Sequence, residues 1–328
     1  MSKPRVFTRC DVEFEDTLTA RQMLEKAGCE LVFQPPQPGW PDSDTREGLP
    51  GVHALMAGGE KIDAGTLEKA DCLKIVARNG VGFDKVDLEE CTRRGIMVTN
   101  TPGAMADAVA DLAFALLLTL VRQTAAGDRR IKGGGYEVAM GEDLGAMTLG
   151  LVGCGRIGAE VVRRALGFRM RVLVCDPWVA DQHLKEMGAT PASLAELLAQ
   201  ADAITLHTPL SAENQDMVNA QFLGQMKRGS YLINTARGGL VDEPALIAAL
   251  KSGQVAGAGL DCQATEPPTG VSLELVRMEQ VIATPHSGSR TLSARKRMAL
   301  MAAQSIADCL GGRVPQHLVN NEVLERPK

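Results

Sequence analysis

Between residues 149 and 283 the chain alternates short apolar runs with longer stretches of helical spacing. The runs lie at 149–152, 172–175, 203–206, 231–234, 256–260 and 281–283, and most are apolar throughout rather than at every second position. Such runs predict strands covered on both faces, and helical stretches such as 192–199 and 244–252 supply the crossovers that parallel strands require. The N-terminal third repeats the rhythm. Strands are predicted at 5–8, 29–33, 52–57, 73–77 and 96–100, with helices at 17–28, 63–70 and 86–95 and a proline-rich loop at 35–41. A long helix follows at 104–123. Its apolar run is interrupted by Asp111 and is shorter than a membrane span, so it reads as a core helix. A last helix at 289–310 and one further element at 314–319 close the chain.

Composition narrows the class. At 328 residues two domains are expected. The net charge of −5 comes from 35 basic and 40 acidic side chains that are scattered, so neither nucleic acid nor a membrane surface is an expected partner. The N-terminal residues lack an uninterrupted apolar core, which argues against secretion. The eight cysteines, at 10, 29, 72, 91, 154, 175, 262 and 309, form no C-x-x-C pair and flank no histidine cluster. They predict reduced thiols in a cytoplasmic protein and no metal site.

The first strand of the alternating region runs into Gly153-Cys-Gly-Arg-Ile-Gly158. Gly153, Gly155 and Gly158 hold the G-x-G-x-x-G positions, for a tight turn, a close phosphate approach and close helix packing, while Arg156 and Ile157 open the helix. Glycine turns are common. Here the second strand ends in Asp176, at the spacing of an acid that clasps the ribose hydroxyls of NAD and repels the extra phosphate of NADP. The predicted fold class is therefore α/β: two Rossmann-like or flavodoxin-like domains with doubly wound parallel sheets, the dinucleotide-binding domain inserted into the substrate domain. The boundary is placed at the Thr101-Pro-Gly break, giving a substrate domain of 1–101 plus 290–328 and an NAD-binding domain of 102–289.

Candidate chemistry collects just past strands. Arg78, Asn79, Gly80 and Val81 follow the strand at 73–77, where a glycine-rich turn presents backbone amides to a ligand; a plain connection is an even alternative. Arg237 follows 231–234 and has the fork to clasp a carboxylate and polarise a carbonyl. His286 follows 281–283 as a proton donor or acceptor, and Glu266 is placed to orient its imidazole if the fold brings them together. His207 is expected to flank the cofactor, and Asp261 to face it or to serve the local structure. His53, His183 and His317 are expected in packing or on the surface.

The chain resembles the D-isomer-specific 2-hydroxyacid dehydrogenase family over nearly its full length. The resemblance is carried by Arg78-Asn-Gly-Val-Gly-Phe-Asp84, Asn100-Thr-Pro, the 150–158 glycine turn, Leu206-His-Thr-Pro-Leu210, Asn234-Thr-Ala-Arg-Gly-Gly239, Gly259-Leu-Asp261, Glu266-Pro and Pro285-His-Ser-Gly288. It implies that Arg237, Glu266 and His286 are catalytic and that the Gly80 and Val81 amides bind a substrate carboxylate. It also implies cofactor-binding places for His207, Thr208, Pro209, Thr235, Ala236, Asp261, His286 and Gly288, and a homodimer. The implied activity is NAD-dependent interconversion of a small D-2-hydroxy acid and its 2-oxo acid, with hydroxypyruvate, glyoxylate and phosphohydroxypyruvate as candidates. The alternative is an NAD(H)-sensing, corepressor-like interaction protein. Asp261-Cys-Gln-Ala-Thr-Glu266 departs from the Asp-Val-Phe run usual in the family.

Overall fold

The computed structural model describes residues 3–10, 18–34 and 43–325, so the proline-rich loop lies outside the described residues. Two compact units are present: 1–105 with 289–328, and 106–288 inserted between them in sequence. The first unit opens with β1 (Arg5–Thr8), α1 (Leu18–Lys26), β2 (Glu30–Phe33) and α2 (Ser43–Gly48). β3 (Ala54–Ala57), α3 (Ala64–Leu67), β4 (Ile75–Arg78), α4 (Leu88–Arg93) and β5 (Met97–Thr99) follow. The strands are all parallel in the order β2-β1-β3-β4-β5, which is the flavodoxin-like winding. Every residue of β3 and β4 is buried, as their apolar runs require for strands covered on both faces. Aspartates start two of the helices: Asp63 accepts from the Thr66 amide and Asp87 from the Glu90 amide.

The inserted unit begins with α5 (Ala106–Val121) and α6 (Thr124–Lys132). It continues with β6 (Thr148–Val152), α7 (Arg156–Gly167), β7 (Arg171–Cys175), α8 (Asp181–Glu186), β8 (Thr190–Pro191), α9 (Leu194–Gln200), β9 (Ala203–Leu206), α10 (Ala220–Gln225), β10 (Ser230–Asn234), α11 (Glu243–Lys251), β11 (Val255–Leu260), α12 (Gly270–Val276) and β12 (Val281–Ala283). The sheet runs β12-β11-β10-β9-β6-β7-β8, again all parallel. Six of these strands match the apolar runs. The seventh, β8, is a two-residue edge strand ending at Pro191, too short to produce a periodic signal.

The predicted core helix is α5, with ten of its residues buried. It lies so close to the sheet that a Cβ on Gly259 would sit 2.8 Å from Leu116 and 2.9 Å from Ile233. Among the described residues no single helix is long and apolar enough to cross a membrane. Gln123, in the left-handed region at φ 50°, separates α5 from α6, which carries no buried residue and so left no apolar stripe to read.

The chain then re-enters the first unit as α13 (Leu292–Leu310), capped by Thr291. Ala299, Ala302, Ala303 and Ile306 share a core with Val6, Leu24 and Ile75. The element expected at 314–319 is not a strand: it amounts to one antiparallel bridge, Thr99 with Leu318, and a bond from the Val319 amide to the Val98 carbonyl at 2.7 Å. The fastening is done by Asn320, which is 2% exposed. Its side-chain oxygen accepts from the Val98 amide at 2.7 Å, while its nitrogen donates to the Ile96 carbonyl at 3.0 Å and to the Thr92 hydroxyl at 2.9 Å. Asn320→Ala strands buried backbone groups of the edge strand and is expected to lower the unfolding free energy by about 2–3 kcal/mol; urea denaturation of parent and variant checks this.

Candidate active site

The glycine turn lies between β6 and α7, at the point where the winding of the inserted sheet reverses from β6 to β9. Gly153 has φ +89°, and a Cβ there would approach the His207 carbonyl group and the Thr208 amide within 2.8–2.9 Å, so only glycine fits. A Cβ on Gly158 would lie 2.6 Å from the Gly153 carbonyl oxygen, which is the close packing of helix on turn. Gly155 differs: nothing lies within 4 Å of where its Cβ would be. It is the N-cap of the 12-residue α7, and no side chain caps the helix there, so the first-turn amides are not taken by a capping side chain. This combination suits the diphosphate of a dinucleotide. Asp176 ties the turn to the next strand, one carboxylate oxygen accepting from the Cys154 amide at 2.6 Å and the other from the Trp178 amide at 2.8 Å. Asp181 and Glu196 line the same hollow as Asp176, making it an acidic place for any 2′-phosphate.

A second group forms at the ends of β10, β11 and β12. Asp261, 1% exposed, directs both oxygens at the turn after β12. One accepts from the Thr284 hydroxyl at 2.5 Å and the Ser287 amide at 2.8 Å, and the other from the Gly288 amide at 2.8 Å. The turn so held carries His286 at φ 49°, an uncommon conformation for a residue with a side chain. His286 Nδ1 lies 3.0 and 3.1 Å from the two Glu266 oxygens. The turn carrying Arg237 packs onto the same loop, since a Cβ on Gly238 would come within 2.0 Å of the Gln263 carbonyl oxygen. Buried Asn234 shapes that turn by accepting from the Ala236 amide and donating to the Arg237 carbonyl. His286 and Glu266 are thus a bonded pair, with the Arg237 turn packed beside them.

In the first unit, the turn after β4 is tied back by its carbonyls. Gly80 O accepts from the Thr101 amide at 3.0 Å, Val81 O from the Asn100 side chain at 2.8 Å, and Gly82 O from Arg78 Nε at 3.2 Å. Among the described residues the Gly80 and Val81 amides have no acceptor. Arg78 is 8% exposed and acts on the loop itself, while the Asn79 amide bonds the Ala57 carbonyl at 2.8 Å.

A family model described as "D-isomer specific 2-hydroxyacid dehydrogenase, NAD binding domain" matches residues 114–288. A glyoxylate reductase of Korarchaeum cryptofilum is 43% identical over 272 residues, covering 81% of this chain and 82% of that protein. Among solved structures, a protein from Thermus thermophilus superposes with a TM-score of 0.85 at 37% identity, covering 96% of this chain and 99% of that one. D-Lactate dehydrogenase from Aquifex aeolicus, complexed with NAD and lactic acid, gives 0.84 at 31%, covering 97% and 99%. The chain belongs to the D-isomer specific 2-hydroxyacid dehydrogenase family. It is an oxidoreductase that uses NAD in the interconversion of 2-hydroxy and 2-oxo acids.

The dehydrogenase also contains residues that the sequence did not single out. Glu243, 5% exposed, accepts from the Ala264 amide at 2.9 Å and the Ser272 hydroxyl at 2.6 Å, and Ser272 in turn accepts from Thr265. This network holds the loop that presents Glu266. In sequence Glu243 is an ordinary first-turn acid of α11, so its inward role had no signal. Arg9 and Glu60 follow β1 and β3, where the first sheet reverses its winding, and Arg9 is 1% exposed. For Arg9, a charged residue straight after a buried strand was the available sign.

His207 follows β9, with Nε2 2.8 Å from the Thr205 hydroxyl. Burial pushes its imidazole down from 6.5 to about 3, so it is neutral in the folded dehydrogenase. Below pH 6.5 the unfolded chain takes up a proton at this residue that the folded chain refuses until about pH 3. Its contribution to stability is present above pH 6.5 and is lost on acidification, at about 1.4 kcal/mol per pH unit. His207→Gln is expected to lose about 2 kcal/mol less than the parent between pH 7 and pH 5 in urea unfolding; parallel losses would show that the imidazole is not held neutral.

Proposed function

We propose that the protein reduces a small 2-oxo acid, glyoxylate first among the candidates, to its 2-hydroxy acid with NADH. The bonding of His286 to Glu266 at 3.0–3.1 Å, on a turn fixed by buried Asp261, is the observation that carries this reading. With Nδ1 facing Glu266, the other ring nitrogen is left to give a proton to the carbonyl oxygen as it becomes a hydroxyl, or to take it back in the reverse direction. The Glu266 carboxylate holds the ring's orientation. Arg237 binds the substrate carboxylate and polarises its carbonyl, and the open Gly80 and Val81 amides offer a further carboxylate clasp that Arg78 and Asn79 keep in shape.

NAD, when bound, accepts or supplies the hydride. Gly153, Gly155, Arg156, Ile157 and Gly158 would cradle its diphosphate and Asp176 its ribose. His207, Thr208, Pro209, Thr235, Ala236, Asp261 and Gly288 would line the rest of the cofactor's place, Asp261 chiefly through the turn it holds. The relatives named glyoxylate reductase favour the smallest oxo acid. Substrate breadth beyond it, through hydroxypyruvate and phosphohydroxypyruvate, belongs to the same reading.

A homodimer is part of the proposal. Tyr136, Val138 and Met140, each at least 85% exposed, form a run after α6 that is costly to leave in water.

A screen of 2-oxo acids with NADH, followed by absorbance, is expected to find turnover with glyoxylate or hydroxypyruvate. His286→Ala should lower kcat by about 10²–10⁴-fold while NADH binding is kept. Turnover at the parental rate would remove His286 as the proton donor. In the same assay kcat/KM is expected to favour NADH over NADPH, and Asp176→Ala should narrow that preference; equal use of both cofactors by the parent defeats the ribose assignment.

A further inference from the structure

Three donors of different chemistry meet beyond the ends of β11 and β12. The Cys262 sulfur, a Glu266 carboxylate oxygen and a His286 ring nitrogen all lie within 4.8 Å of one another. Cys262 is 2% exposed, while the side chains of His286 and Glu266 are 48% and 29% exposed, so a buried thiol lies beside two ligands that solvent reaches. Around a tetrahedral zinc ion, bond lengths near 2.0–2.1 Å to nitrogen and oxygen and near 2.3 Å to sulfur place donor atoms about 3.3–3.6 Å apart. The imidazole and carboxylate, at 3.0–3.1 Å, are already close to that spacing. Drawing the sulfur into the same shell takes adjustments of about 1 Å, within reach of rotations of the two exposed side chains. A sulfur, nitrogen and oxygen set selects zinc and softer cations over magnesium or calcium, which take oxygen ligands.

We propose that Cys262, Glu266 and His286 form an inhibitory site for a thiophilic divalent cation, with zinc as its natural occupant. On binding, a zinc–sulfur bond replaces the S–H bond and the proton passes to solvent, with no change of oxidation state. The imidazole nitrogen and the carboxylate that otherwise hold each other turn to the metal, and the fourth position goes to water. A ring so fixed can no longer gain and lose a proton during reduction. The inhibitory half rests on the proton-transfer role proposed above for His286, whereas the binding half does not.

The full-length protein, freed of metal with a chelator, is titrated with Co²⁺ and then with Zn²⁺. One equivalent of Co²⁺ is expected to give a thiolate charge-transfer band that Zn²⁺ displaces. The band should vanish in Cys262→Ala and in Cys262→Ser, the second variant preserving side-chain size, with circular dichroism confirming that both fold. Zn²⁺ affinity should fall about tenfold or more in these variants. In the turnover assay Zn²⁺ should inhibit the parent and EDTA should restore it, while the Cys262 variants keep parental turnover and need about tenfold more Zn²⁺ for the same inhibition. Absence of the band, or its persistence in both variants through another thiol such as exposed Cys72, overturns the site. A normal band with turnover undiminished by excess Zn²⁺ overturns the inhibitory role. A parent that turns over no 2-oxo acid even without metal counts against the proposed reaction, and the Co²⁺ spectrum still decides the site.

Discussion

Parallel pairing of every strand is the constraint on which the remaining structure depends. A parallel strand can be followed by another only after the chain has crossed back, so within each sheet all strands end at the same edge. In the inserted unit this single fact puts Gly153, Asp176, His207, Thr235, Asp261 and Thr284 each at the close of a strand, on one rim. Residues more than fifty positions apart, such as Gly153 and His207, become neighbours without any local sequence feature asking for it. Buried strands also explain why the rim is polar: it is where buried backbone first meets side chains able to bond it.

On that rim, buried carboxylates and amides act as fasteners for segments that carry the chemistry. Asp261 saturates both oxygens with the 284–288 turn and so presents His286 in a backbone conformation that the residue would not adopt unaided. Glu243 does the same for the loop bearing Glu266, through Ser272 and the Ala264 amide. Asp176 bonds the glycine turn, and in the first unit Arg78 and Asn100 tie back the carbonyls of the loop whose amides remain open. Charge is thus placed where it holds backbone. Buried acids bonded to several amides keep their positions far better than exposed ion pairs do.

The juxtaposition of Cys262 with Glu266 and His286 follows from the same geometry. Along the chain the three positions have none of the close spacing by which structural zinc sites are recognised, which is why the cysteines predict reduced thiols and no metal site. Sequence spacing does not show the cluster, because the two donors nearest in sequence sit on one loop and the third arrives from the end of the next strand, twenty residues later.

The amino-acid sequence by itself determined the α/β class, eleven of the twelve strands among the described residues to within a few residues, the core helix α5, the glycine turn and the family. Each is encoded locally: by uniformly apolar runs, by a helical period, or by a glycine such as Gly158, whose missing side chain is required by the backbone of Gly153. Tertiary structure alone decided the rest. It added the edge strand β8 and the helix α6, which carries no buried residue; both have too little length or apolar contrast to register. It also reduced the expected element at 314–319 to a bridge fastened by Asn320. It paired His286 with Glu266, turned Asp261 and Glu243 inward, and pointed Arg78 at its own loop. Those outcomes depend on which strands lie side by side, and a carboxylate that will be buried against a distant turn is written with the same residue as one that will face water.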